Sequence, residues 1–565
     1  MRWWPFLFII FLFAQSDSKP PASFIPPVKG LIQLTGTFGE LRSNHFHAGL
    51  DIRGGVGRAV YAIADGFVVR IRVSVSGYGQ ALYLQHPSGH TSVYGHLDRF
   101  RDDIASFVKI QQYTDESFLL DEALEADQFR VQQGDLIGYI GQRGFVSGPH
   151  LHFEIRDTDS GRLLNPMNFG IRVADKRRPL IRGLRVYELD KRGNVLQAKN
   201  KKVQAIGGGK YRLSGDTIFV HNGRIGLGLK TYDQQDGRPN LNGVYEIKLN
   251  QKGSLIFGFK MDHFDGKQSR YLNAHLDYKE KLDNNSWYNS CFRLPGNQLD
   301  FYQHNSHNGQ IQLRRGEHKD FTFDVRDIEG NHSFVKFVVK RAIQPIRREA
   351  IFNYFLPFDE ENLIENQSMR AHFPEGALYE DLYLDYDLIV ENTQGLYSPM
   401  HRLHAHTTPL HRYFDLHIRP NHIPESLKDK AIIVHCDDGQ SPTSYGGEWT
   451  DEGRLRAPIR SFGNFGIMID TIPPEIEVHH FSKDMRGWSQ FSFSIDDNFP
   501  TAGKAKGLRF RAEVDGQWIL MEYNGRKKRL YHDFDGHILK GKHRLNLRIR
   551  DDRGNERVLE REFIR

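Results

Sequence analysis

Over most of its length the chain alternates apolar and polar positions with a period of two, the spacing of half-buried β-strands. Ala59-Val60-Tyr61-Ala62-Ile63-Ala64 and Phe67-Val68-Val69-Arg70-Ile71-Arg72-Val73 are two such runs, and the Asp65-Gly66 pair between them predicts a hairpin. Gln80 to Gln85 and Thr91 to Tyr94 flank the turn residues Pro87-Ser88-Gly89 and predict a second one. Together these runs predict a compact, mostly antiparallel β domain with a groove over 31–174. The segment 99–130 departs from the pattern. Ile104, Phe107 and Val108, then Gln111 or Gln112, follow helical spacing, with Asp102 or Asp103 placed to cap the start. The residues after it are acidic: Asp115, Glu116, Asp121, Glu122, Glu125 and Asp127. Such a run reads first as solvated surface.

Beyond Ala174 strand-like runs continue at Asp216 to Val220, Ile225 to Tyr232, Gly243 to Leu249 and Leu255 to Met261. An internal echo joins two distant parts. Gly316-Glu317-His318 leads through Phe321 to Asp327 into Gly330-Asn331, and Gly541-Lys542-His543 leads through Leu545 to Asp551 into Gly554-Asn555. Each predicts an alternating strand, a Gly-Asn turn and a last strand, and resembles the closing hairpin of immunoglobulin-like bacterial modules. The expected organisation is therefore a compact β domain over 31–174, with 99–130 inserted in it. A β-sandwich module at 175–345, a β-rich module at 346–470 and an immunoglobulin-like module at 471–565 follow.

Length and composition fit this picture. A chain of 565 residues with 39% hydrophobic and 12% aromatic content can build several ordinary cores. The net charge of +6 is mild and its two signs are interspersed, which gives no footprint for nucleic acid. At the start, Arg2 precedes a nearly continuous apolar run from Trp3 to Ala14, with small residues at Ala14 and Ser16. This predicts an export signal at 1–16, a proline-rich linker at 17–30 and a periplasmic or secreted protein. The apolar run is too short to span a bilayer comfortably, so no membrane span is expected after cleavage. The two cysteines, Cys291 and Cys436, fall in different predicted modules and read as unpaired thiols outside any zinc pattern.

The chemistry concentrates in three short stretches: Asn44-His45-Phe46-His47-Ala48-Gly49-Leu50-Asp51, Tyr94-Gly95-His96-Leu97 and Gly148-Pro149-His150-Leu151-His152-Phe153-Glu154-Ile155. Zinc takes imidazole nitrogen and carboxylate oxygen, and a catalytic site uses three protein ligands with one position left open. Residues i and i+2 of a strand share a face, so His150 and His152 project side by side. The glycine in His47-x3-Asp51, and Gly54-Gly55 after it, disfavour a helix; a loop entering a strand would bring both side chains to one side. His47, Asp51 and His152 are assigned to the metal. His96 and His150 remain beside it as free imidazoles, able to orient or deprotonate water and to stabilise developing charge. His45, His86 and His90 read as ordinary surface or core histidines. So does the histidine-rich stretch at His401, His404, His406, His411, His417 and His422, whose spacing matches no zinc pattern.

Residues 36–156 resemble the lysostaphin-like (LytM-type) zinc endopeptidases of bacterial cell walls. The resemblance rests on His47-x3-Asp51, Val60 to Gly66, Tyr94-Gly95-His96-Leu97, Gly134 to Gly141 and the Gly148 to Glu154 block. It implies a Zn2+ cofactor on His47, Asp51 and His152, catalysis by His96 and His150, and hydrolysis of peptide bonds in peptidoglycan stem peptides or cross-links. The alternative function is a non-hydrolytic envelope scaffold or an activator of other wall hydrolases that uses the same groove. A third places the function in the tail, as adhesion or scaffolding. With peptidoglycan as substrate, the acidic part of 99–130 gains a second reading: a lid along the groove wall whose carboxylates attract the amines of stem peptides.

Overall fold

The computed structural model describes residues 24–144, 146–343, 352–389, 395–436 and 441–565. The predicted export signal and the start of the linker lie outside the described residues. Among those described, no helix is long and apolar enough to cross a membrane.

In chain order the first domain places β1 (Leu34–Gly36), β2 (Leu50–Arg53), β3 (Ala59–Tyr61), β4 (Gly66–Val73), β5 (Gln80–His86), β6 (His90–Gly95) and β7 (Leu97–Phe100). Helix α1 (Asp102–Thr114) follows, then β8 (Leu120–Ala123), β9 (Arg130–Val131), β10 (Leu136–Ile140), β11 (His150–Asp157) and β12 (Leu163–Leu164). The main sheet runs β1-β2-β11-β6-β5-β4-β8, and a small sheet runs β3-β10-β7. Ile52, Val68, Ile71, Leu84, Leu151 and Phe153 of the first share one apolar core with Val60, Ile137 and Ile140 of the second. The period-two runs of the sequence are these strands.

The hairpin expected at Asp65-Gly66 does not form. β3 pairs with β10 and β4 pairs with β5, so the chain crosses between sheets at this point. The backbone of Ala62 is taken by the 134–135 turn: its N–H donates to Asp135 O and its carbonyl accepts from Gly134 N, both at 2.9 Å. The Asp65 carboxylate accepts from the Gln133 N–H at 2.7 Å. A Cβ on Gly66 would lie 2.2 Å from Gln85 O, so this glycine serves a close approach of backbones and not a turn with positive φ. The hairpin at Pro87-Ser88-Gly89 forms, with Gly89 at φ +80°.

Helix α1 buries Ile104 and Val108 as its spacing predicts, but its N-cap is Arg101 rather than Asp102 or Asp103. Of the acidic residues after it, Asp121 and Glu122 lie in β8, which pairs with β4 at the sheet edge.

The tail is mostly β, with short helices at Leu272–His275 and Tyr278–Asn284. The apolar core of the first domain continues from Phe24 to Val339, and β12 pairs with His263–Phe264. Phe46, next to the candidate ligand His47, packs against Phe264, His275 and Phe301. Residues 354–469 carry two five-stranded sheets, and 475–564 two four-stranded sheets, each set around its own core. The echoed segments form matching antiparallel hairpins, His318–Arg326 with His332–Arg341 and Lys542–Arg550 with Glu556–Ile564.

Candidate metal centre

Strand register builds the site. β11 lies between β2 and β6, with His152 directly opposite Asp51 on one side and Gly95 on the other. His47 arrives from the loop before β2, held by its N–H to Glu40 O at 2.8 Å and its carbonyl to Gly39 N at 2.9 Å. Gly49 lets this loop lie on β11, since a Cβ there would meet Phe153 O at 2.1 Å. Three ligand atoms then converge. His47 Nε2 is 2.9 Å from Asp51 Oδ1 and 3.1 Å from His152 Nδ1, and Asp51 Oδ1 is 3.0 Å from His152 Nδ1. All three residues are buried.

The opposite side of each ring determines what it offers. His47 Nδ1–H donates to Thr37 O at 2.8 Å, which turns the Nε2 lone pair inward. His152 Nε2–H donates to Glu154 Oε1 at 2.9 Å, which turns Nδ1 inward. The second oxygen of Asp51 accepts from Arg42 Nη2 at 2.8 Å. Glu154 is fully buried. It is held by Arg156 at 2.7 Å from Nε and 2.6 Å from Nη2, and by the Tyr78 hydroxyl.

His96 and His150 stand beside this triangle, ring centroids 4.8 Å apart. His96 Nδ1–H donates to Arg143 O and His150 Nδ1–H to Gly148 O, both at 2.9 Å. Each therefore keeps an Nε2 lone pair free to accept a proton. His150 Nε2 lies 3.5 Å from Asp51 Oδ1, beyond hydrogen-bond range. His96 adopts φ +61°, a strained conformation for a residue with a Cβ, and donates its N–H to Tyr78 O at 2.8 Å.

Charge follows the geometry. Burial would raise the Asp51 carboxyl, but the imidazoles of His47, His150 and His152 outweigh it and hold it well below the usual carboxylate range. Burial, reinforced by the neighbouring imidazoles, pushes His96 down to about 3, so it is a neutral acceptor at physiological pH. Burial would lower His152 too, yet its bonds to Asp51 and Glu154 take it up to about 9. Glu154 is held at about 2 against its burial, chiefly by Arg156 and His152. Two carboxylates on one buried imidazole call for a cation at the site. The donor set suits zinc: two inward imidazole nitrogens and a carboxylate oxygen whose separations are close to the ~3.4 Å edge of a tetrahedron with bonds of about 2.1 Å.

The structure thus brings together His47, Asp51, His96, His150 and His152. It leaves His45 exposed, bonded to Asn44, and His86 in the interior between Asp65 O and Ser92 Oγ. In the histidine-rich stretch His401 is buried against Tyr386, and His411 stacks on Tyr271. Thr37, Arg42, Tyr78, Arg143 and Glu154 support these five side chains and stand outside the predicted set. Of these, Glu154 carried a signal: it continues the i, i+2 series of His150 and His152 on β11.

The lid along the groove wall is not formed. β8 is separated from β11 by β6, β5 and β4. Asp121 is tied to Arg70 by two bonds of 2.6 Å. The inserted segment instead receives the last module of the chain. Tyr113 and Lys109 bond Asp535 at 2.7 and 2.8 Å, and Glu116 pairs with Arg511 at 2.6 Å. That module also reaches the loop beside the site: Arg526 donates to Val146 O at 2.6 Å, and Glu522 pairs with Arg143.

Residues 45–116 and 118–166 match the sequence profile described as Peptidase family M23. The first domain of the chain is thus similar to peptidase family M23. Residues 353–470 match the profile of a Zu5-like domain. The DD-carboxypeptidase/endopeptidase Mpg of Neisseria meningitidis is 29% identical over 131 residues, 23% of this chain and 24% of that protein. The murein hydrolase activator NlpD of Escherichia coli is 30% identical over 152 residues, 27% of this chain and 32% of that protein. The chain thus spans about a quarter to a third of the length of these curated relatives. A zinc-containing peptidase from Vibrio cholerae is a structural neighbour at 26% identity, covering 25% of this chain and 38% of that one, with a TM-score of 0.19.

Proposed function

We propose that this protein is a zinc-dependent endopeptidase that hydrolyses peptide bonds in peptidoglycan stem peptides or cross-links, exported by its first 16 residues to the periplasm or beyond the cell. The observation that carries this reading is the complete set of five side chains, three converging on one point and two beside it with lone pairs free. His47, Asp51 and His152 would hold the metal. Zinc there would supply a Lewis acid for the scissile carbonyl and the attacking water. His96 and His150 accept the proton that the water loses and return it to the leaving amine. Arg143 O and Gly148 O keep both rings in the tautomer this needs. The Neisseria relative, named as a carboxypeptidase and endopeptidase, supports the substrate class.

A second reading, activation of other wall hydrolases without hydrolysis, is favoured by the name of the Escherichia coli relative. The two differ in whether bonds are cut. Purified sacculi incubated with the full chain should release muropeptides seen by mass spectrometry. Release should stop with a chelator and resume with zinc. No release in any condition would leave the activator reading.

A further inference from the structure

A second group of converging acids lies at the seam between the first domain and the unit that follows it. Asp175, Asp233 and Asp327 each bring a carboxylate oxygen within 4.8 Å of the other two. They line a small cavity of about 30 Å³, together with Thr37, Asn165 and Val173. That volume holds one ion or one water. Asp233 is 7% exposed, and its Oδ1 has no hydrogen-bond partner. A buried carboxylate oxygen without a partner is costly, so this atom asks for a ligand.

We infer that Asp175, Asp233 and Asp327 form a binding site for a hard divalent cation of the calcium class, distinct from the zinc site and lying against the first domain. The donors are all oxygen, with no imidazole or thiol, which selects a hard cation over zinc. The turn that supplies Asp327 is rigid: Asn331 donates its N–H to Oδ1 and its side-chain amide to Oδ2, both at 2.8 Å, and touches Asp175 O at 3.3 Å. Arg177, whose charge is felt at Asp175 and Asp233, turns its guanidinium instead to Arg238 O and Gln234 Oε1. Burial and the neighbouring carboxylates push Asp233 up to about 8 and Asp175 up to about 6, and the Arg177 charge offsets only part of that rise. The seam position has a consequence. Thr37, on the cavity wall, also holds His47 through its carbonyl.

The last module repeats the construction with Asp470, Asp497 and Asp551, where Asn555 bonds both Asp551 oxygens and Asp470 O. There Asn498 donates to Asp470 Oδ1 at 3.3 Å, and Lys430, bonded to Asn555 at 2.6 Å, supplies positive charge. No carboxylate oxygen is orphaned in that copy among the described residues, and the inference is confined to the first.

The test is calorimetric titration of the full, zinc-loaded chain with calcium chloride and, separately, magnesium chloride, alongside Asp233→Asn and Asp175→Asn. Wild type should bind one more equivalent of calcium than either variant, prefer calcium to magnesium, and gain Tm with calcium where the variants do not. Zinc content by metal analysis should stay the same in all three. Asp175 is only half-buried, so its variant keeps the test valid if Asp233→Asn fails to fold. Absence of calcium binding at ~10 mM, beyond the weakest extracellular sites near 10⁻³ M, would overturn the site. So would equal calcium uptake by wild type and the folded variants, or a preference for magnesium.

Discussion

Glu154→Gln is the substitution that most closely probes how the fold prepares the metal ligands. Glu154 is fully buried, accepts from His152 Nε2 at 2.9 Å and from Arg156 at 2.7 and 2.6 Å, and takes the Tyr78 hydroxyl as well. Every group facing the carboxylate is a donor. Glutamine keeps the shape but replaces one acceptor oxygen with an NH₂. If its oxygen faces His152, the amide protons face the guanidinium of Arg156. If it is turned round, they face the imidazole N–H. One buried donor pair is left opposed in either case, at about 1–3 kcal/mol. The negative charge that raises the basicity of His152 Nδ1 is also lost, and such partners are worth about 10–100-fold in metal affinity. Zinc affinity, measured by competition with a chromophoric chelator, should therefore fall by that factor, with the fold retained in far-UV circular dichroism. Glu154→Ala should be worse for stability, by about 3–5 kcal/mol, because it strands Arg156 beside an empty space. A Glu154→Gln protein with zinc affinity within about twofold of wild type would refute the argument that this carboxylate tunes the ligand.

Other consequences are as direct. His96→Ala and His150→Ala should each retain zinc by metal analysis and lose about 10²–10⁴-fold in turnover on wall peptides; a wild-type rate in either removes that imidazole from the chemistry. Replacing Asp121, Glu122 and Glu125 by lysine should leave KM unchanged between low and high salt, because β8 lies at the far edge of the sheet; a salt-dependent rise in KM would put the segment back on the groove. Despite burial, Lys109 and Tyr113 hold the Asp535 carboxyl below its ordinary value of 3.8. Its contribution to docking the last module is thus complete above that value and is lost as pH falls through the lower, folded one. Limited proteolysis should detach the module more readily in acid, and Asp535→Asn should reduce that pH dependence, leaving the part carried by Glu116 and Glu522.

The convergence of these side chains is legible because its signals are local. His150 and His152 share a strand face by spacing alone, and His47 and Asp51 are joined by a loop whose glycine excludes a helix. What they meet was not legible, since it depends on pairing across the chain. The Asp65-Gly66 pair carries hairpin chemistry, yet the 134–135 turn takes the backbone of Ala62 and sends β3 and β4 into different sheets. The acidic run was visible, but only the order of strands shows that it lies at the far edge from β11. Arg143 and Val146 receive Glu522 and Arg526 from the far end of the sequence, and no local pattern encodes such a contact. Glu154 lies on the same face as both histidines of β11, but in the sequence alone a carboxylate two residues along the strand reads as part of a motif rather than as a partner.

The central claim is that His47 Nε2, Asp51 Oδ1 and His152 Nδ1 hold zinc while His96 and His150 do not. Zinc-edge anomalous diffraction from crystals of the zinc-loaded protein tests it most directly. The account predicts one strong peak per chain within about 2.0–2.2 Å of those three atoms, with the Nε2 atoms of His96 and His150 outside bonding distance. A peak bonded to His96 or His150 in place of any of the three, or no peak in this group, would contradict it.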